Sequence, residues 1–367
     1  MRKIFILGGG SLQLDLILEA KKMFFYTIVL DMDKDCVGLK WCDEFLHIDI
    51  SNKELILEEA KNYEIDSIVT SATELGNVTA CYVGEKLGLN TNSYQTALNT
   101  TNKSFMKKIF VENNIQAAKY KIFQNKDSLT NWNLFPCIVK PIDSSAGRGV
   151  SYCKSKNEAI LAINKAYKYS NSKDILIEEY INGEQYSCET ISSLGNHQLI
   201  VINQEFIKQP PHVMELSHTM PAIIDDVIEK KIRKVVYKIL DIFNIQFGAA
   251  HIELKVDSDG QIYIIELASR IGGMRIEMIN LAFGISYSQL LILSSLNMLS
   301  QIIYPLKYKT VQCKFLVDYE TYQEYLDFKK NQDYVIFEPF PIPIIEKNFV
   351  AEHIGLSMGY YWVLSKK

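Results

Sequence analysis

The 367-residue sequence predicts an α/β amino-terminal unit, an α+β body and a small carboxy-terminal α+β domain. Three observations carry this. Strand and helix signals alternate over residues 1–97; hairpin signals replace them over 98–298; and short strand and helix patterns around a Pro-rich loop occupy 299–367.

In the first unit, Lys3 to Leu7 reads as a strand, Leu12 to Met23 as a helix, and Thr27 to Leu30 as a strand. A short extended segment over Phe45 to Ile50, a helix over Lys53 to Tyr63 and a strand over Ser67 to Thr70 follow. Such alternation argues for a parallel sheet covered by helices. Gly8-Gly9-Gly10 follows the first strand and Asp31 closes the second, as in a dinucleotide-binding turn. The third glycine position of that fingerprint falls on Gln13, whose side chain would obstruct close helix–strand packing, so a tight turn is the better reading.

The body begins with a helix over Lys103 to Asn113 and a short apolar strand, Pro136 to Lys140, ending in a lysine. The loop Asp143-Ser144-Ser145-Ala146-Gly147-Arg148-Gly149 then leads to a strand at Val150 to Cys153. Its backbone amides and Arg148 could surround phosphate oxygens. Ile175 to Ile181 is another apolar strand, running into Glu178-Glu179-Tyr180-Ile181-Asn182-Gly183, with strands over Tyr186 to Ser192 and His197 to Phe206. Apolar residues from Val227 to Phe243 recur with helical period behind Asp225 and Asp226, which suit the positive end of a helix. Ala249 to Val256 and Gln261 to Leu267 form a hairpin through Asp257-Ser258-Asp259-Gly260. Beyond it, Thr310 to Val317 and Phe349 to His353 read as strands, Thr321 to Lys330 as a helix, and Pro339 to Pro343 as a loop.

Composition narrows the function. A net charge of -4 removes the broad cationic field of a nucleic-acid binder. No apolar run is long enough to span a membrane and no cleavage site follows Met1, so a cytoplasmic protein is expected. Seven cysteines without a C-x-x-C pair suggest reduced core thiols, and the scattered histidines leave carboxylates as the better metal candidates.

The hairpin supplies such carboxylates. If Val256 opposes Gln261, then Glu253 opposes Ile264 and lies diagonal to Glu266. That places both carboxylates on one face with Arg270 just beyond, and Ile252, Leu254, Val256, Tyr263, Ile265 and Leu267 on the other. Paired carboxylates repel unless a divalent cation neutralises them, and oxygen ligands favour Mg2+ or Mn2+. A solvated acidic face is the alternative reading.

The helix at Lys103, the strand end at Lys140, the Ser/Gly loop, the Glu178 to Ile181 segment and the two-glutamate hairpin occur in one order, and in that order the chain resembles the ATP-grasp superfamily. The resemblance covers residues 1 to about 295. Glu215-Leu216-Ser217-His218-Thr219-Met220-Pro221 and Ala268-Ser269-Arg270-Ile271-Gly272-Gly273 look most like the amino-acid ligase and carbamoyl-phosphate-synthase-like branch. It implies a Rossmann-like pre-ATP-grasp domain over 1–97 and an ATP-grasp domain over 98–298 with a lid subdomain at about 118–180, beside the small domain that the pattern over 299–367 predicts. It also implies that Lys103 and Lys140 touch the phosphates of ATP while Ser144, Ser145, Gly147, Arg148 and Gly149 close over them. Glu178, Glu179, Tyr180 and Ile181 would hold adenine, mostly through main-chain groups, and Glu184 would reach the ribose. Glu253 and Glu266 would hold magnesium, Arg270 would meet the acyl phosphate or the substrate carboxylate, and His218 is a candidate substrate contact. The chain departs from the pattern at Gln185, where a glutamate is usual, and at Ala268, where asparagine is common.

The expected activity is therefore that of a carboxylate–amine ligase: ATP activates a small, amino-acid-like acid as an acyl phosphate, an amine attacks, and ADP and phosphate leave. Its partners would be small molecules, and a homodimer is compatible with this. A bicarbonate-using carboxylase or phosphorylating relative of the purine-synthesis or carbamoyl-phosphate type is the nearest rival. A nucleotide-binding regulator without turnover is the rival from another class, supported by Ala268 and Gln185.

Overall fold

The structure is a computed structural model that describes residues 1–123, 132–144, 147–172, 174–210 and 213–366. Its amino-terminal unit runs β1 (Lys3–Leu7), α1 (Leu14–Lys22), β2 (Tyr26–Asp31), β3 (Glu44–His47), α2 (Lys53–Tyr63), β4 (Ser67–Val69) and α3 (Glu74–Leu87). The strands form a parallel sheet in the order β3-β2-β1-β4. Side chains alternate across β1. Phe5 and Leu7 pack with Ile56 and Val83 on the outer helices, whereas Ile4 and Ile6 join Leu16, Ile17 and the core of the body.

Gln13 answers the question raised by the glycine turn. Its buried amide donates to the Ser71 carbonyl at 2.6 Å, and a Cβ on Gly8 would lie 3.1 Å from its side chain. Asp31 accepts from the backbone N–H groups of Gly9 and Asp33, so it closes the turn instead of facing a ribose.

Two helices, α4 (Tyr94–Thr101) and α5 (Lys103–Glu112), lead into a second sheet made of β5 (Tyr120–Phe123), β6 (Cys137–Pro141), β7 (Ser151–Cys153) and β8 (Ile175–Glu179). Its order is β5-β8-β6-β7, all antiparallel, and α6 (Lys156–Ala166) covers one face through Ala159, Ala162 and Ile163.

The largest sheet has eight antiparallel strands. It contains β9 (Glu184–Ser193), β10 (Asn196–Ile207), β11 (Glu215–Met220), β12 (Gly248–Val256) and β13 (Ile262–Ala268). Helix α7 (Asp226–Ile242), capped by the Asp225 side chain, buries Ile232, Val236, Ile239 and Leu240 against Ile252, Leu254 and the α5 residues Met106 and Phe110. Helices α8 (Arg275–Phe283) and α9 (Tyr287–Ser295) pack toward the amino-terminal unit. Among the described residues no single helix is long and apolar enough to cross a membrane, and the apolar pair α8–α9 is bent by 111°.

The segment 299–367 extends this same sheet. It adds β14 (Val311–Phe315), α10 (Tyr319–Lys330), β15 (Tyr334–Phe337) and β16 (Tyr360–Ser365), giving the order β13-β12-β9-β10-β11-β14-β16-β15. The strand expected over Phe349 to His353 is not formed; a single bridge from Asp318 to Val350 takes its place. Here Ala351 N–H donates to the Val317 carbonyl, and a 3-10 turn over Ile354–Leu356 follows, so backbone pairing stops after one step.

Candidate active site

A cavity of about 230 Å³ lies between the β5–β8 sheet and the β12–β13 hairpin, with walls from every part of the chain. Helix α5 supplies its base. Asn102 caps the helix by accepting from the N–H groups of Ser104 and Phe105, which points Lys103, the first helical residue, toward the cavity. Lys103 Nζ donates to the Ser144 carbonyl at 3.0 Å and pairs with Glu266 at 3.1 Å. One turn on, the buried Lys107 pairs with Glu178 at 2.8 Å. Lys140, at the end of β6, pairs with the other oxygen of the same carboxylate. Burial would raise the Glu178 carboxyl, but the two ammonium groups hold it down at about 2. Burial dominates for Lys107 and lowers it. At Lys140 burial is overcome by Glu178 and Glu266, which raise it.

The loop after Lys140 is shaped by two left-handed glycines, Gly147 at φ +69 and Gly149 at φ +74. A Cβ on Gly149 would sit 3.0 Å from Pro141 and 3.1 Å from Tyr169. Asp143 accepts from the N–H groups of Asn171 and Ser172, and Arg148 Nε donates to the Ser144 hydroxyl at 3.4 Å. Ser144, Gly147 and Arg148 line the cavity; Ser145 and Ala146 lie outside the described residues.

At the opposite end the chain crosses from β8 to β9. Glu179 accepts from Lys119 N–H through its side chain, Tyr180 N–H donates to the Pro136 carbonyl, and Lys255 Nζ donates to the Ile181 carbonyl at 2.9 Å. The Lys255 ammonium also lies 4.6 Å from the centre of the Tyr180 ring, and burial lowers it to about 8. Glu178, Glu179, Tyr180 and Ile181 all line the cavity. The Glu178 side chain, however, is turned to the two lysines, and its main chain pairs within the sheet opposite Tyr120 and Ile138. Glu184 does not line the cavity. It is exposed on a neighbouring groove and accepts from the Tyr186 hydroxyl, while Gln185 takes the cavity position and donates to Glu205.

The hairpin register differs from the expected one. Glu253 lies directly opposite Glu266, His251 opposes Ala268, and Val256 opposes Ile262. Between Glu253↔Glu266 and Leu254↔Ile264, Ile265 is the extra residue of a β-bulge, and the turn is longer by one residue. The longer turn places Tyr263 opposite Lys255 on the cavity face, and the bulge returns Glu266 to that face opposite Glu253; Ile265 also lines the cavity, and Ile262 and Ile264 are buried. Ala268 is buried against His251 and does not line the cavity. Among the described residues no three His, Cys, Asp or Glu side chains converge on a metal position. The donor set that fits a hard divalent cation is therefore the Glu253–Glu266 pair, completed by oxygens from outside the protein.

Arg270 lines the cavity and pairs with Glu74 of α3 through Nε at 3.0 Å and through Nη2. Burial would raise the Glu74 carboxyl, but the guanidinium holds it below its ordinary value. His218 is not a cavity residue. It is 2% exposed, accepts from Arg275 at 2.6 Å and lies 3.0 Å from Glu215; burial and Arg275 push it down to about 3, so it is neutral. An alternating strand brings His218 to the inner face of the sheet, while Glu215, three residues earlier, reaches the cavity. Beside it, His251 is held between Glu189 at 2.5 Å and Glu253 at 3.4 Å, and these carboxylates overcome burial to raise it to about 10.

Residues 133–278 match the family model of the ATP-grasp domain. This part of the chain is an ATP-grasp domain. It is 30% identical over 188 residues to formate-dependent phosphoribosylglycinamide formyltransferase of Prochlorococcus marinus, covering 49% of this chain and 48% of that protein. Alanine–anticapsin ligase of Bacillus subtilis is 25% identical over 263 residues, covering 65% and 56%. The chain thus spans about half the length of the curated relatives it matches. The L-amino acid ligase of Bacillus licheniformis shares the fold along the whole chain, with a TM-score of 0.79, 19% identity, and 100% and 93% coverage. An ADP complex of N5-carboxyaminoimidazole ribonucleotide synthetase superposes with a TM-score of 0.77 at 18% identity, covering 100% and 93%.

Several residues around the ATP-grasp cavity escaped the sequence reading: Lys107, Glu74, Glu215, Lys255 and His353. Lys107 carried a signal, since it lies four residues after Lys103 and so on the same helical face. Lys255 carried one too, two residues after Glu253 and so on the same strand face, whereas Glu74, Glu215 and His353 reach the cavity from other segments. His353 comes from the carboxy-terminal segment, where its ring packs edge-on against Tyr169 beside Gly147.

Proposed function

We propose that the protein is an ATP-dependent carboxylate–amine ligase that activates a small, amino-acid-like acid as an acyl phosphate and passes the acyl group to an amine. The observation that carries this reading is the convergence of Lys103, Lys140, Ser144, Gly147, Arg148, Glu253, Glu266 and Arg270 on one cavity. Relatives named for alanine, for L-amino acids and for formate support a small acid as substrate.

In this reading the main chain of Glu179 to Ile181 holds adenine, and Lys103 and Lys140 hold phosphate oxygens. The lysine side chains are already positioned by Glu266 and Glu178, so little reorganisation is needed when charge moves. Glu253 and Glu266 would hold magnesium, which when bound would neutralise charge on the transferring phosphoryl group. Arg270, fixed by Glu74, orients the acid. A carboxylate oxygen attacks the γ-phosphorus and ADP leaves; the amine then attacks the acyl carbon, phosphate leaves, and the amine nitrogen gives up a proton. Gly147, Arg148 and His353 at the cavity wall would limit water access to the acyl phosphate. No protein nucleophile is required, and among the described residues no cysteine lines the cavity.

The test is ADP release from purified protein against pooled small acids, amino acids and bicarbonate, each with and without an amine. Turnover that needs both an acid and an amine is expected. Turnover with bicarbonate alone would move the protein to the carboxylating branch, and silence in every pool would make it a nucleotide-binding regulator.

A further inference from the structure

Buried charge is unevenly matched beneath the cavity. Lys107 is 2% exposed, Glu178 6% and Lys140 7%, and the two lysines share that one carboxylate, one on each oxygen. Glu266 and Glu253 also act on Lys140, but Glu266 is paired with Lys103 and Glu253 with His251. Two ammonium groups and one carboxylate leave a buried surplus of one positive charge, an arrangement that is costly unless an anion completes it.

The geometry also decides where the surplus is felt. Lys107 projects from the second turn of α5, whose Met106 and Phe110 are packed into the body core. Lys140 stands at the end of β6, where the phosphate loop begins. Without Lys107, Glu178 would neutralise Lys140 alone, and the closed pair would present little net charge to a ligand.

We infer that Lys107 is a positioning residue for the nucleotide phosphates: by sharing Glu178 it keeps Lys140 at the cavity wall with its positive charge uncancelled. The inference rests on reading the cavity as an ATP site, and deepens it by assigning phosphate affinity to a residue that acts through Glu178. A merely structural role is the alternative, in which the Lys107–Glu178 pair only ties α5 to β8.

The experiment measures Mg-ATP affinity by titration calorimetry, with thermal unfolding in parallel, for wild type, Lys107→Met, Lys107→Arg and the double variant Lys107→Met with Glu178→Gln. Loss of one partner of a buried charge pair should weaken Mg-ATP binding by about 30-fold or more in Lys107→Met. Lys107→Arg should bind like wild type. The double variant restores the net charge of the cluster and should recover most of the lost affinity. A merely structural pair predicts no such recovery. Lys107→Met binding as tightly as wild type, or a folded double variant binding no better than Lys107→Met, overturns the inference. If Lys107→Met does not fold, a folded Lys107→Arg with wild-type affinity together with a double variant that binds supports it, and a double variant that folds without binding overturns it. Failure of the wild type to bind Mg-ATP would overturn the proposed function along with this inference, whereas the variant outcomes bear on the inference alone.

Discussion

Glu253 faces Glu266 directly across the β12–β13 hairpin, and the bulge at Ile265 is what makes them opposite neighbours. Glu266 is paired with Lys103 and Glu253 with His251, each through one oxygen, and two carboxylates so placed suit a divalent cation, so their juxtaposition marks where metal-bound phosphate would sit. Glu266→Gln should lower turnover on the order of 10²-fold or more by removing one anionic ligand. Initial rates against free Mg2+ at saturating Mg-ATP check this, and wild-type turnover with unchanged metal dependence would reject the hairpin as the metal site.

Lys140→Ala should lower turnover by roughly 10² to 10³, about 3 to 4 kcal/mol, the scale for one preorganised electrostatic contact. Steady-state kinetics on folded protein decide it. Near-normal kcat would remove Lys140 from the phosphate site.

Arg270 offers a planar fork already engaged by Glu74, and a lysine cannot reproduce both contacts. Arg270→Lys is expected to raise KM for the acid by about tenfold or more, the value of one charge-assisted contact, while Mg-ATP affinity stays unchanged. An equal loss of ATP affinity would place Arg270 on the nucleotide instead.

The Glu178 carboxyl lies at about 2 in the folded protein against an ordinary 4.5, because Lys107 and Lys140 overcome the effect of burial. A folded value below the unfolded one gives stability that is present above 4.5 and disappears as pH falls through about 2. Unfolding midpoints measured over that window should fall steeply for the wild type. The variant carrying Lys107→Met and Glu178→Gln should show a shallower acid limb; an identical limb would mean that Glu178 contributes nothing to acid stability.

Gly149 is left-handed and lies against Pro141 and Tyr169. Gly149→Ala should cost about 1 to 2 kcal/mol of local strain and displace the loop, weakening Mg-ATP binding more than it lowers the global unfolding midpoint. Calorimetry and thermal unfolding separate the two. Unchanged affinity would show that the loop does not contact the phosphates.

By itself the sequence determined what local chemistry controls. The helical period behind Asp225 predicts α7 to within a residue at each end, the strand–helix alternation predicts the parallel sheet, and Lys103, Lys140 and the Ser/Gly loop are legible because each is set by its immediate neighbours. The hairpin was legible too, but not its register: a period of two identifies faces only when the turn length is known and the ladder has no bulge, and here a longer turn moves Tyr263 to the cavity side while the extra residue at Ile265 returns Glu266 to it. Only the tertiary structure decided which charges meet. Glu178 is engaged by lysines 71 and 38 residues earlier, Arg270 by a glutamate 196 residues away, and His218 is enclosed by Arg275 instead of facing the cavity. The carboxy-terminal strands likewise join the body sheet at β11, a pairing set by the free edge of a distant strand. Such partners lie far apart along the chain, and only packing of the cores brings them within ion-pair distance. Short-range periodicity shows that a charged side chain is present; the folded chain decides what it neutralises.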